Sequence, residues 1–394
     1  MNIKPTTFIV AVLCCFSAEG QQKNNSVNEI VFNLTAPSLP DDSRVFICGN
    51  IPQLADWDPS VDSMIFKGNH TWSKTIRTDI QYSLEYKYTL GSWQKEGVGA
   101  DGKPLSNFII KVTGDTVIRD NVLFWLNGEN KKITGQVTGN VKYHRQIIGS
   151  GIPDRDIVVW LPPDYEKNAR KRYPVLYMED GQNIFDPATS AFGNDWQIDE
   201  TCDSLIRNGI IEPLIVVGIY NTKNRMSEYT PCKEGSAYMK FVTDVVKPLI
   251  DQNYRSKRNR KFTFAGGSSA GGTITFMLVW NNPGIFSKAF CLSPAFKIQN
   301  IDVVKDVTGY SGKKKDITFY IDNGGKGLEM QLQPGIDEMM KALSEKGYIR
   351  NKDYFWVSAP EAEHNESAWA KRMPNALNLL LGVKSKRSIK LQKE

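Results

Sequence analysis

Two patterns of apolar and polar positions divide the chain. Between residues 27 and 126, apolar side chains recur in short runs with a period of two, broken by turn residues. Leu84, Tyr86, Tyr88 and Leu90 alternate with Glu85, Lys87 and Thr89, which predicts a strand with one buried and one exposed face. The runs Val45–Cys48, Phe108–Val112 and Val122–Leu126 read the same way. No long helical pattern interrupts them, so an all-β, immunoglobulin-like sandwich of antiparallel strands is expected over 27–126. Residues 127–141 form a polar connector containing glycine. From 142 to 383 strands alternate with helices, the signature of an α/β sheet. Pro174–Met178 and Leu214–Ile219 are continuous apolar runs, as parallel strands buried on both faces require. Asp156–Leu161, Ala289–Leu292, Ile317–Ile321 and Tyr354–Val357 are further strands. Tyr238, Phe241, Val242, Val245, Val246, Leu249 and Ile250 share one helical face, with a bend expected at Pro248. Glu366–Leu381 reads as the last helix.

One stretch organises the second region. An apolar strand ending at Phe264 runs into Gly267-Ser268-Ser269-Ala270-Gly271, which fits G-x-S-x-G, and an amphipathic run follows from Thr273 to Trp280. Strand, tight turn and helix form the context of a nucleophile elbow. Such a turn strains the serine backbone and leaves room only for small neighbours. Serine is a weak nucleophile at neutral pH, so it needs a base in contact and a carboxylate to orient that base. The chain has three histidines, His70, His144 and His364. His364 alone follows a late strand of the α/β region, and it lies in the polar loop Ala359–Glu366. The order serine, acid, histidine is that of α/β-hydrolases. Two carboxylates compete for the acid: Asp322, at the end of Ile317–Ile321, and Glu329, seven residues on. The backbone N–H of Ala270, at the start of the helix, is the expected first oxyanion donor. A second should come from the loop Glu179–Asp186.

Composition changes the picture only in places. With 41% apolar and 23% charged residues the chain is ordinary for a globular protein of two domains. The tail 384–394 supplies +4 of the net +6 charge, so the rest is near neutral and a nucleic-acid footprint is not expected. Residues 1–20 read as a signal peptide. Lys4 precedes the apolar core Phe8–Phe16, and Ala18-Glu19-Gly20 offers a cleavage site, so a secreted or periplasmic protein is expected. Cys14 and Cys15 leave lipid anchoring open. No other segment is apolar enough to span a membrane. The cysteines show no metal-ligand spacing, and neither a metal nor an organic cofactor is expected. A Cys202–Cys232 bridge is one option, with Cys48 and Cys291 as buried thiols.

The run Val45–Pro59, with Trp57, then Glu85-Tyr86-Lys87-Tyr88 and Gly91-Ser92-Trp93, resembles a family-20 starch-binding module. The resemblance implies that Trp57, Trp93 and Lys87 form a sugar platform, with indoles stacking on sugar C–H faces and the lysine bonding hydroxyls. It also implies a glycan partner. The family's late acidic-Asn-Arg segment is replaced here by Gly97–Gly102 and Ser106-Asn107-Phe108. The second resemblance rests on Met178–Asp186, Trp196, Glu228-Tyr229, the elbow and Glu363-His364-Asn365. Together these resemble the esterase D family, which includes feruloyl and acetylxylan esterases, S-formylglutathione hydrolases and siderophore esterases. It implies that Gln182 N–H is the second oxyanion donor and that Trp196 and Trp369 wall the cleft. In that family the acid lies a few residues beyond a glycine matching Gly324, which favours Glu329 over Asp322. The expected activity is that of a secreted serine esterase acting on acetyl or feruloyl groups of carbohydrate. A catecholate-trilactone siderophore esterase, or a carbohydrate-binding protein with an inactive hydrolase domain, is the alternative.

Overall fold

The computed structural model describes residues 27–80, 83–99, 102–126, 135–190 and 194–383. The signal segment 1–20, the connector residues 127–134 and the tail 384–394 lie outside them. The chain divides into two units, Met1–Glu129 and Asn130–Glu394.

In the first unit, Asn28–Thr35 lies between Thr71–Thr78, antiparallel to it, and Thr116–Asn121, parallel to it. Ile65–Gly68 completes a four-stranded sheet. Phe46–Gly49, Ser83–Thr89 and Phe108–Lys111 make a three-stranded sheet, and Gly97–Val98 pairs with Phe124–Trp125. The alternation in Asn28–Thr35 turns Ile30, Phe32 and Leu34 inward, where they join Leu84, Tyr86 and Tyr88 of the other sheet in one core. Asp120 accepts the hydroxyls of both Tyr86, at 2.8 Å, and Tyr88, at 2.7 Å, so these phenols enter the core with partners. Two expectations change. The run at 122–126 gives only the two-residue strand Phe124–Trp125, the longer strand preceding it at Thr116–Asn121. In Ser83–Thr89, Glu85, Lys87 and Thr89 are also buried. The strand is central in its sheet, and partners meet its polar face: Asn107 donates to Glu85, Lys87 to Glu96, and Thr89 to the Pro59 carbonyl.

The second unit is built on an eight-stranded sheet. Its order is Asn140–Ile147, Arg155–Leu161, Ile215–Ile219, Val175–Met178, Thr263–Ser268, Lys288–Leu292, Thr318–Gly324, Tyr354–Ala359. The first three are antiparallel neighbours and the rest pair in parallel. The period of two explains the uninterrupted apolar strands. Ile215, Val217 and Ile219 pack on one face with the helices Lys233–Phe241, Ala270–Asn281 and Leu328–Glu345. Val216, Leu176, Phe290 and Tyr320 pack on the other with Ile198–Arg207 and Glu366–Leu381. Each face is covered, so each strand position must be apolar. Ahead of Pro248, where a bend was expected, the helix carries a π turn at Val242–Val246 that leads into Lys247–Asn253. Residues of the expected connector already belong to this unit, since Thr138 donates its N–H to Asp199 at 2.6 Å and accepts from Trp160 at 2.7 Å. Cys202 is buried in the core and Cys232 is exposed, and both are free, so the bridge is not formed. Among the described residues, no helix is long and apolar enough to cross a membrane.

Candidate active site

The strand Thr263–Ser268 runs further than its apolar pattern suggests and ends in the turn itself. Ser268 is still in the strand and buried. Ser269 is half-buried at the turn with φ +56° and ψ −129°, and Ala270 opens the helix. A serine backbone here is strained, and its surroundings hold it. Its N–H bonds the Leu292 carbonyl at 3.0 Å on the adjacent strand. A Cβ on Gly267 would lie 2.6 Å from the Gly271 carbonyl oxygen, so only glycine allows this approach of strand and helix. Ala270 N–H, at the first helical position, has no acceptor within the helix, as at any helix start.

The loop that follows Val175–Met178 sits beside the elbow because Met178 pairs with Gly266. A 3-10 turn over Gly181–Asn183 carries Gln182, which is half-buried. Gln182 and Asn221 bond each other twice, at 2.6 and 3.1 Å, and Asn221 donates to Asp180 at 2.6 Å. Arg225 grips Asp180 with two bonds, at 2.7 and 2.8 Å. Nothing in the sequence pattern singled out this bracing.

His364 Nδ1 lies 3.6 Å from Glu329 Oε1, longer than a hydrogen bond but facing it. Gly327, at φ +59°, starts the helix Leu328–Glu345 and places Glu329 in its first turn, fully buried. Burial alone would raise the Glu329 carboxyl. His364, the Ser293 hydroxyl and Arg372 outweigh it, and the carboxyl lies below its usual range. Asp322 is occupied elsewhere. It accepts Ser293 N–H at 3.0 Å and the Tyr320 hydroxyl at 2.9 Å, and pairs with Arg372 at 3.2 Å. Burial pushes Asp322 up to about 6 despite Arg372. Of the two competing carboxylates, Glu329 therefore faces the imidazole.

The tryptophans are placed otherwise than expected. Trp196 and Trp369 are 1% and 5% exposed, with ring centroids 5.4 Å apart, so neither offers an open cleft wall. Trp369 stands edge-on to His364 at 5.0 Å and limits the ring's rotation. Trp196 packs in the core behind it. The other histidines have different company: His70 is exposed beside Asp41, and His144 bonds Tyr254. Asp195, Asp199 and Glu200 bring carboxylate atoms within 4.8 Å of one another. Burial, and after it the Glu200 contact, push Asp199 up to about 8.

In the first unit, the half-buried rings of Trp57 and Trp93 lie 6.4 Å apart with their planes 39° from parallel. Trp57 is held at φ +69°. Lys87 lies beneath, 6.0 Å from the Trp93 ring, but it is buried and bound to Glu96 at 2.6 Å. Its ammonium is therefore committed within the protein, contrary to the expectation that it bonds sugar hydroxyls.

The esterase family model matches residues 153–380, more than half of the chain. The chain belongs to the esterase family. This esterase is a carboxylic ester hydrolase, and its residues 27–143 match the starch binding domain model. It is similar to the uncharacterized protein YbbA of Bacillus subtilis, with 23% identity over 58% of this chain and 93% of YbbA. It is 30% identical over 132 residues to an endo-1,4-beta-xylanase/feruloyl esterase of Xylanibacter ruminicola, covering 32% of this chain and 18% of that protein. It is 35% identical over 101 residues to an amylopullulanase of Thermoanaerobacter thermohydrosulfuricus, covering 25% of this chain and 7% of that protein. The esterase thus spans only a small part of these two enzymes. In fold it is similar to a ferulic acid esterase, at TM-score 0.51 and 20% identity over 62% of this chain and 99% of that one. It is also similar to the Shigella flexneri enterobactin esterase, at TM-score 0.50 and 14% identity over 91% of this chain and 94% of that one.

Proposed function

We propose that this esterase is a secreted serine hydrolase that removes acetyl or feruloyl groups from carbohydrate through a Ser-His-acid triad. The observation that carries the reading is the 3.6 Å approach of His364 Nδ1 to the buried Glu329 carboxylate, together with the strained backbone of the Ser269 elbow. Ser269 Oγ attacks the ester carbonyl while His364 takes its proton. Glu329 fixes the imidazole tautomer and stabilises the imidazolium. Ala270 N–H and Gln182 N–H hold the oxyanion. His364 then returns the proton to the leaving alcohol, and water activated by His364 cleaves the acyl-enzyme.

The first unit, an immunoglobulin-like sandwich in this reading, holds a glycan on Trp57 and Trp93. Residues 1–20 direct export. Carbohydrate esters are favoured over an anionic catecholate because Arg225, beside the oxyanion loop, is neutralised by Asp180. The test is hydrolysis of feruloylated oligosaccharide, acetylated xylan and a catecholate trilactone by the same preparation. Release of ferulate or acetate at a kcat/KM well above that for the trilactone is expected. Preference for the trilactone would overturn the carbohydrate assignment.

A further inference from the structure

We propose that Ser293 and Arg372 are positioning residues for the acid–base pair: they orient Glu329 and keep it ionised toward His364. The proposal rests on the triad reading above. Ser293 directly follows the strand Lys288–Leu292 and sits at φ +44°, a left-handed backbone that a serine seldom adopts. Its N–H holds it there through Asp322, bonding the main-chain oxygen at 3.1 Å and Oδ1 at 3.0 Å. The residue before it, Leu292, accepts the N–H of Ser269. One dipeptide therefore touches the backbone of the nucleophile and the side chain of the acid.

The Ser293 hydroxyl has one proton to give and two lone pairs. Trp369 Nε1 approaches it at 3.1 Å, Arg372 at 2.7 Å, and Glu329 Oε1 at 2.7 Å. Indole and guanidinium can only donate, so the proton of Ser293 must go to Glu329. Its full bonding capacity is in use, and its direction is fixed. Trp369, held by this bond, is the ring that stands edge-on to His364.

Charge completes the argument. Arg372 pairs with Asp322 and lies 3.7 Å from Glu329 Oε1. One cation between two buried carboxylates leaves one negative charge, and the imidazolium formed when His364 takes a proton neutralises it. Tyr320 bonds Asp322 from the strand Thr318–Gly324. Outside, Glu363 bonds Asn365, and Lys326 pairs with Glu361 at the surface. The Ser293 bond and the Arg372 charge both oppose the effect of burial on Glu329.

The experiment follows hydrolysis of a short-chain nitrophenyl ester against pH by Ser293→Ala, Arg372→Gln and the charge-keeping Arg372→Lys. Ser269→Ala serves as control and thermal unfolding as a check on folding. Losing the proton from Ser293, or the charge of Arg372, raises the proton affinity of the Glu329–His364 pair. The acidic limb of kcat/KM should move up by about half to one pH unit, and kcat should fall about 10- to 100-fold with KM little changed. Arg372→Lys should keep the limb near its original place. A folded Ser293→Ala or Arg372→Gln with the limb unmoved overturns the proposal, whatever its kcat, because a merely structural loss lowers activity at every pH alike. If one of these two does not fold, the other decides. Should Ser269→Ala itself stay active, it is the triad reading that fails.

Discussion

Each unit of this protein buries charge beneath a candidate binding surface, and the two do so differently. In the β-unit, Lys87 and Glu96 form a closed pair at 2.6 Å, with the Lys87 ammonium 6.0 Å from the Trp93 ring. The pair is neutral and its bonding is internal. In the hydrolase unit, Arg372 is shared by Asp322 and Glu329, and one negative charge is left facing His364. A buried charge matched within the protein does structural work, at a desolvation cost that the pair offsets. A buried charge left for a titratable partner prepares that partner for chemistry. The ammonium of Lys87, bound to Glu96, is not available to a ligand.

The strongest way to break this contrast is at the elbow. Ser269→Ala should fold normally and lose about 10⁴- to 10⁶-fold in kcat on a short-chain nitrophenyl ester. If Ser268→Ala is the dead variant and Ser269→Ala is not, the turn geometry has been misread. Next comes the acid. Glu329→Gln should cost about 10⁴-fold in kcat, because the imidazolium loses its counter-charge. Asp322→Asn acts only through Arg372 and Ser293 and should cost about 10- to 100-fold. The reverse ranking would make Asp322 the orienting acid.

In the β-unit the corresponding change should strike stability. Lys87→Met leaves Glu96 buried without its cation and should destabilise the unit by about 3–5 kcal/mol in denaturant unfolding. Lys87→Met combined with Glu96→Gln should recover most of that. A stable single variant that merely fails to bind glycan would return Lys87 to the sugar platform.

Glu179 sharpens the comparison as a buried acid of a third kind. Burial pushes its carboxyl up to about 8, although Tyr238 donates to it. The folded state therefore holds this proton more tightly than the unfolded chain does. Its contribution is most favourable at low pH and is lost as pH rises from the unfolded value through about 8. Glu179→Gln should lose less stability between about pH 5 and 8 than the parent, by on the order of 1–3 kcal/mol. Equal losses in urea titrations at the two pH values would rule that out. The smallest effect is expected at the aromatic faces. Trp93→Ala or Trp57→Ala should weaken glycan binding by about 1–2 kcal/mol, read as lost retardation of the full chain in starch gels. Unchanged retardation would leave the rings a packing role.

The residues legible beforehand were those whose role is set by nearby sequence. Gly267, Ser269 and Gly271 announce the turn because a strained backbone demands small neighbours within two positions. The apolar runs announce buried strands because alternate residues enter opposite cores. Ser293 and Arg372 were not legible. Ser293 looks like any polar residue after a strand, and Arg372 lies 43 positions from Glu329 along the chain. Lys87 was misread for a related reason: alternation predicts an exposed face only when nothing covers the strand, and Glu96 meets it there.

The sequence by itself pointed to a β-region followed by alternating strands and helices, to the elbow serine, and to His364 as its candidate base. These follow from periodicity and backbone sterics, which act over a few residues. Only the tertiary structure shows which of Asp322 and Glu329 lies near His364. They sit seven residues apart on one segment, and what separates them is company brought from elsewhere. Ser293, Tyr320 and Arg372 occupy Asp322, while the turn at Gly327 swings Glu329 toward His364. Electrostatics and hydrogen bonding act across space between segments distant in the chain, so the surroundings of each carboxylate are a property of the packed molecule.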